Sequence, residues 1–138
     1  MTHTCAPGDT LVEGSLHIEN ARLWELNDPF LYRVTCRVTT AEPGSMDEHS
    51  VRCGFRDFRF ENGWFRLNGK RIFLRGGITT NATPVGLEVA YDPDLLRRDL
   101  INAKAMRLNM IRCLGGIPKR YQLDLVDEFG ILYYTEPY

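Results

Sequence analysis

The sequence predicts an α+β composite, in which antiparallel strands making part of a β-sandwich lead into the βα units of a parallel sheet. Three observations carry this. Residues 16–62 hold strand-like runs rich in β-branched and aromatic residues, separated by turn clusters. The 138-residue chain then changes character near residue 63, where a short hairpin appears. From that point the order is strand, helix, strand, helix, strand with short connections, the pattern of parallel βα units.

After an N-terminal segment at 1–15, the first strand-like runs are "SLHIENARLW", "FLYRVTCRVTT" and "HSVRCGFRDFRF", divided by "NDP" and "EPGSMDE". In the second run Leu31, Val34, Cys36 and Val38 are apolar, with Arg33, Thr35, Arg37 and Thr39 between most of them. Such alternation predicts one face in a core and one in water. Three or four strands make half of a sandwich at most.

The hairpin runs from Trp64 to Leu67, turns at Asn68-Gly69 and returns from Arg71 to Arg75. Asn-Gly suits a two-residue turn because both central residues need positive φ. The second arm, "RIFLRGG", is expected to be the first buried strand of the βα series. It would deliver Gly76 and Gly77 to the rim of a site, since ligands bind at the carboxyl ends of parallel strands.

A loop, "ITTNATPVGLEVAY", leads to "DPDLLRRDLINAKAMRLN". Asp92 can cap a helix and Pro93 suits its first position, while Leu96, Leu100, Ala103 and Met106 recur at spacings of four and three along one face. "NMIRCLGG" reads as a short buried strand. "PKRYQLDLVDEFG" follows as a second helix begun by Pro118, with Tyr121, Leu125 and Phe129 inward and Gly130 as its stop. "ILYYTEP" is the third strand.

Seventeen basic and eighteen acidic residues leave a formal net charge of −1, with no like-charge block to serve as a footprint for nucleic acid or anionic lipid. Neither partner is expected. The sequence contains no membrane-length apolar run, and "MTHTCAPGDT" lacks the features of a secretory signal, so no localisation is assigned. Cys5, Cys36, Cys53 and Cys113 are widely spaced and have no histidine at zinc-ligand spacing, so no metal or other cofactor is expected. Buried thiols are the simpler account, with a Cys36–Cys53 disulfide left open. His3, His17 and His49 read as surface residues.

"ARLWELNDPFLYRV", "CGFRDFRFENGWFRLNGKRIFLRGG", "DLINAKAMRLNMIR" and "YQLDLVDEFGILYYTE" closely resemble, in order and spacing, successive motifs of glycoside hydrolase family 2. That family includes β-galactosidases, β-glucuronidases and β-mannosidases, and the similarity runs from about Leu16 to Tyr138. The resemblance implies that residues 16–62 end an immunoglobulin-like sandwich and that 63–138 begin a (β/α)8 TIM barrel. It also implies retaining hydrolysis, which needs two carboxylates about 5 to 5.5 Å apart. Both catalytic glutamates of the family lie on later barrel strands, so this chain is expected to be a fragment that is inactive alone. Open barrel edges predict self-association.

Three residues are carried over to the active-site rim. Arg112 matches the arginine that ends the second barrel strand and orients the nucleophile, a task suited to a fixed guanidinium fork; a structural salt bridge is the alternative. Glu136 matches the acidic residue ending the third strand, either holding a sugar hydroxyl or pairing with a basic neighbour such as Arg112. Asn81 can donate to a hydroxyl or serve the turn, and its "NAT" is also a formal glycosylation sequon. Asp127 and Glu128 match the family's helical "DE" and are expected to be solvated, while Trp24 and Trp64 are assigned to packing. Galactosidases and glucuronidases of the family carry histidines where this chain reads "GGITTNATP" and "RCLGGIP", so the resemblance does not assign the sugar. A non-catalytic carbohydrate-binding or interaction module is the rival from another class.

Overall fold

The computed structural model describes residues 2–40, 44–80 and 92–136. Ten strands and two helices are formed among them, in four small sheets. β1 (Trp24–Glu25) and β2 (Asp28–Pro29) make a two-stranded turn. β3 (Tyr32–Thr39) and β4 (Met46–Cys53) make an antiparallel ribbon. β5 (Phe58–Glu61), β6 (Trp64–Leu67) and β7 (Lys70–Ile72) form a meander, and β8 (Gly76–Thr80), β9 (Met110–Leu114) and β10 (Leu132–Thr135) form a parallel sheet in the order β10-β9-β8. Helices α1 (Pro93–Ala105) and α2 (Arg120–Phe129) connect the parallel strands. The strand-helix alternation expected after residue 63 is therefore present.

Several elements differ from the sequence expectation, each for a local reason. "SLHIENARLW" is not a strand: pairing begins only with the Leu23–Phe55 bridge and β1, and residues 11–20 are exposed throughout. "HSVRCGFRDFRF" divides into β4 and β5. The β3–β4 alternation is there, but Val34, Val38, Met46 and Val51 are all exposed, because no second sheet lies over the ribbon among the described residues. Two Asn-Gly turns shape the meander, Asn62-Gly63 and Asn68-Gly69, all four residues having positive φ.

The hairpin's return arm stops at Ile72, and β8 starts at Gly76, so the glycine pair opens the first parallel strand instead of ending it. Gly76 and Gly77 pair with Met110 and Ile111 at the start of β9, at the end of the sheet opposite to the one expected. The cause is Asn109, a buried side chain. Its amide nitrogen donates to Phe73 O at 2.9 Å, and its oxygen accepts from Arg75 N at 2.7 Å. These bonds claim the backbone of 73–75 that a continuous strand would have used. A Cβ on Gly77 would meet Leu108 Cδ1 at 3.0 Å, so β8 enters close against the α1–β9 connection.

Asp92 caps α1 as expected, accepting from Asp94 N at 2.9 Å, with Pro93 in the first turn. Leu100 and Ala103 are buried, but Met106 is exposed at the helix end and Leu108 packs in its place. α2 begins at Arg120 with Lys119 as its cap, two residues after Pro118; Gln122 Oε1 accepts from Lys119 N at 2.7 Å. Its inner face is Gln122, Leu125 and Val126, with Phe129 packed beside them, while Tyr121 is half-buried. Gly130 ends the helix in the left-handed region, at φ 65°.

The parallel sheet has two different faces. Ile111 and Tyr133 pack with Leu100, Ala103, Leu125, Val126 and Ile131 under the helices. Met110 and Leu132, one residue along, join a second core with Trp24, Leu67 and Leu74. Trp24 is the hub: buried, it donates Nε1–H to Asp127 O at 2.8 Å, while its own carbonyl accepts from Asn68 Nδ2 at 3.0 Å. All four cysteines are free thiols. Cys36 lies opposite His49 and Cys53 opposite Tyr32, which sets the two cysteines four residues apart along the ladder and rules out the disulfide left open by the sequence. Only Cys113 is fully buried, and Cys5 and Cys36 are exposed, contrary to the expectation of buried thiols.

Candidate functional site

The period of two along a strand decides which residues share a face. In register across the parallel sheet, Ile78, Arg112 and Tyr134 form one row. Since Ile111 and Tyr133 point to the helices, this row points away from them. Leu114 and Glu136 follow at the same parity toward the carboxyl ends of β9 and β10. The face they share is open: Ile78, Leu114 and Tyr134 are all exposed.

Arg112 and Glu136 meet on it. The guanidinium donates from Nε at 2.9 Å and from Nη2 at 2.5 Å, both to Glu136 Oε1. Concentrating two charge-assisted bonds on one carboxylate oxygen fixes the plane of the fork. The two side chains are 38% and 30% exposed, so solvent partly screens the pair. The Arg112 guanidinium carbon is also 6.0 Å from the Tyr134 ring centroid. The end of β10 is tied to the turn after β9 by Thr135 Oγ1, which donates to Gly116 O at 2.8 Å, and by a backbone bridge between Gly116 and Glu136. The site residues are thus held by both strand ends.

Of the sequence candidates, Arg112 and Glu136 are brought together. Asn81 and its sequon lie outside the described residues. Tyr134, Ile78 and Leu114 were not singled out from the sequence; counting back by two from Glu136, and on by two from Arg112, places Tyr134 and Leu114 on the same face.

The helical pair is not simply solvated. Burial pushes the Asp127 carboxyl above its ordinary value, with Arg56 opposing, Asp124 adding and Arg52 opposing. Glu128 is paired with Arg52 and lies 3.5 Å from Arg97. Trp64 is half-exposed with the Arg71 guanidinium 2.9 Å above its ring centroid, so its face is already occupied. A cavity of about 280 Å³ lies on the helix side, lined by Arg56, Leu123, Asp127, Ile131, Tyr133 and Thr135 among others. It does not include Arg112 or Glu136. Burial, with the Cys113 thiol beside it, raises the Tyr133 phenol above its ordinary value. No group of three or more potential metal ligands occurs among the described residues.

Residues 2–56 match the family model described as glycosyl hydrolases family 2. The fold is similar to Bacteroides uniformis β-glucuronidase 3, with 31% identity over 83% of this chain and 14% of that one, TM-score 0.73. Parabacteroides merdae β-glucuronidase is 37% identical over 84% of this chain and 14% of its own, TM-score 0.71. A family 2 β-galacturonidase from Eisenbergiella tayi, solved with galacturonate, is 30% identical over 91% of this chain and 22% of its own, TM-score 0.77. The chain therefore spans between about a seventh and a fifth of the length of these enzymes. The family model covers only the β-rich residues 2–56, while the similar enzymes cover 83–91% of the chain, its βα part included, so what this chain matches along most of its length is glycosyl hydrolases family 2.

Proposed function

We propose that this chain is the junction segment of a retaining glycoside hydrolase. Residues 16–62 form the end of an immunoglobulin-like sandwich, and 63–138 begin the TIM-barrel catalytic domain. This reading sets the boundary at Asn62-Gly63, the turn between β5 and β6, so the β5–β6–β7 meander is shared by the two parts. The observation that carries the site assignment is the Arg112–Glu136 pair, set near the carboxyl ends of parallel strands on the face away from the helices. In a barrel that face is the interior, and active sites gather at its carboxyl end.

In this reading Arg112 orients the nucleophilic carboxylate and Glu136 holds the guanidinium in plane, with Asn81 as a donor to a sugar hydroxyl. In the same reading neither catalytic carboxylate belongs to the segment, so the 138-residue chain alone does not turn over substrate. Its open sheet face and strand edges favour self-association. The similar enzymes at 30–37% identity are described as β-glucuronidases and a β-galacturonidase, which makes uronides the first substrate class to examine.

The test is hydrolysis of aryl β-glucuronides and β-galacturonides by a longer polypeptide carrying this segment and by the 138-residue chain alone. Turnover by the first and none by the second is expected. Turnover by the short chain would overturn the segment assignment. Saturable oligosaccharide binding by the short chain, with no turnover by the longer one, would favour the binding-module reading.

A further inference from the structure

The β3–β4 ribbon pairs with itself and exposes apolar side chains on the face that carries Val34, Val38 and Val51. Such a ribbon has little of its own to fix its angle to the rest of the molecule. At its base one side chain crosses to the helices. Arg52, the penultimate residue of β4, pairs with Glu128 of α2, lies 3.6 Å from the Asp124 carboxylate and donates to the Asp124 carbonyl at 3.4 Å. The other oxygen of Glu128 faces Arg97 of α1 at 3.5 Å. One carboxylate thus joins three elements that are 31 to 76 residues apart in sequence.

We propose that Glu128 is the shared carboxylate of an ionic lock that holds the β3–β4 ribbon against the α1–α2 layer. The charges are about one-third to one-half exposed, so a single pair would contribute little. Here the arginine fork spans two successive turns of α2 and the carboxylate is itself braced by α1, so the pairs form a network. The neighbouring Arg56 sits 4.6 Å from the Trp24 ring centroid and acts on Asp127, extending the same charged seam along the base of the ribbon. The lock orients the ribbon; the buried Trp24 contacts beneath it supply the adhesion. It is independent of the glycosidase assignment, since none of its residues lies on the Arg112–Glu136 face.

Hydrogen–deuterium exchange of the 138-residue chain tests it, followed on peptides from Tyr32–Thr39, Met46–Cys53, α1 and α2. With Glu128→Gln, exchange in the ribbon is expected to quicken roughly threefold to tenfold at low salt while that of the helices stays unchanged. Arg52→Gln should do the same, and the double variant no more than either single one. The unaltered chain should approach the variant's ribbon exchange at about 0.5 M NaCl, where screening acts within a few ångströms. If Glu128→Gln does not fold, this salt titration decides by itself. Ribbon exchange indifferent to salt, or a rise in α1 and α2 equal to that in the ribbon, would overturn the lock.

Discussion

The carbonyl of Leu26 lies in the space that a Cβ on Gly130 would need, its carbon only 2.9 Å from that position. Gly130 is also left-handed, so two independent constraints meet at one residue. Gly130→Ala is expected to destabilise the chain by about 2 kcal/mol or more, combining the left-handed penalty with displacement of the Leu26 backbone. Lys104, which donates to Leu26 O at 2.5 Å, would be displaced with it. Urea unfolding measures the effect; a loss well under 1 kcal/mol would show that the Leu26 segment yields freely.

Asn109 is expected to be as sensitive for a different reason. Replacing it with alanine removes the partners of Phe73 O and Arg75 N at the entry to β8, each loss costing about 1–3 kcal/mol if the group stays dry. Asn109→Asp keeps the acceptor and loses the donor, so its unfolding midpoint should fall between those of the alanine variant and the unaltered chain. Equal midpoints for all three would mean that water replaces the side chain.

These two residues also show where sequence legibility ended. The strand-helix alternation, the Asp92 cap, the Asn68-Gly69 turn and the Gly130 stop were legible because each depends on a few adjacent residues. The position of Gly76-Gly77 was not, since it depends on Asn109, more than 30 residues away. The same limit applies at the site. Arg112 and Glu136 were singled out through the family resemblance and are hydrogen-bonded to each other, whereas the row Ile78–Arg112–Tyr134 required the strand register.

Asp127 should leave a mark on the pH dependence of stability. Its carboxyl is raised above 3.8 chiefly by burial, so between that value and the folded-state value the folded chain binds more protons than the unfolded one. Its contribution to stability therefore declines as pH rises through 3.8 and levels off once the folded carboxyl has ionised. Asp127→Asn is expected to abolish that decline while keeping the backbone bond from Trp24. The quantity to measure is the difference in unfolding free energy between variant and unaltered chain from about pH 3.5 to 7. It should grow in favour of the variant as pH rises; a flat or opposite trend would contradict the burial effect.

The open face of the parallel sheet makes a separate expectation about assembly. Ile78, Leu114 and Tyr134 are exposed there at 66%, 43% and 50%. Light scattering after size exclusion is expected to show the 138-residue chain associating with increasing concentration. Ile78→Lys puts a charge on the edge strand and should shift the chain toward monomer. A monomer at all concentrations would sink the idea, as would association untouched by the lysine.

Arg112 should behave as a positioning residue when the segment is carried in a longer, active polypeptide. Its value lies in the fork: two N–H groups lock onto Glu136 Oε1 and hold the planar guanidinium in one orientation. Arg112→Lys retains the charge but not the plane, so it separates geometry from electrostatics. The expected result is a kcat lower by about 100-fold with KM little changed, the pattern of an interaction that matters in the transition state. Glu136→Gln should cost less, because the amide oxygen still accepts from the fork but without its charge. Thermal melting of the same variants supplies the control. If Arg112→Lys lowers the melting midpoint by several degrees and leaves kcat intact, the pair is a structural salt bridge and the orienting role belongs to another residue.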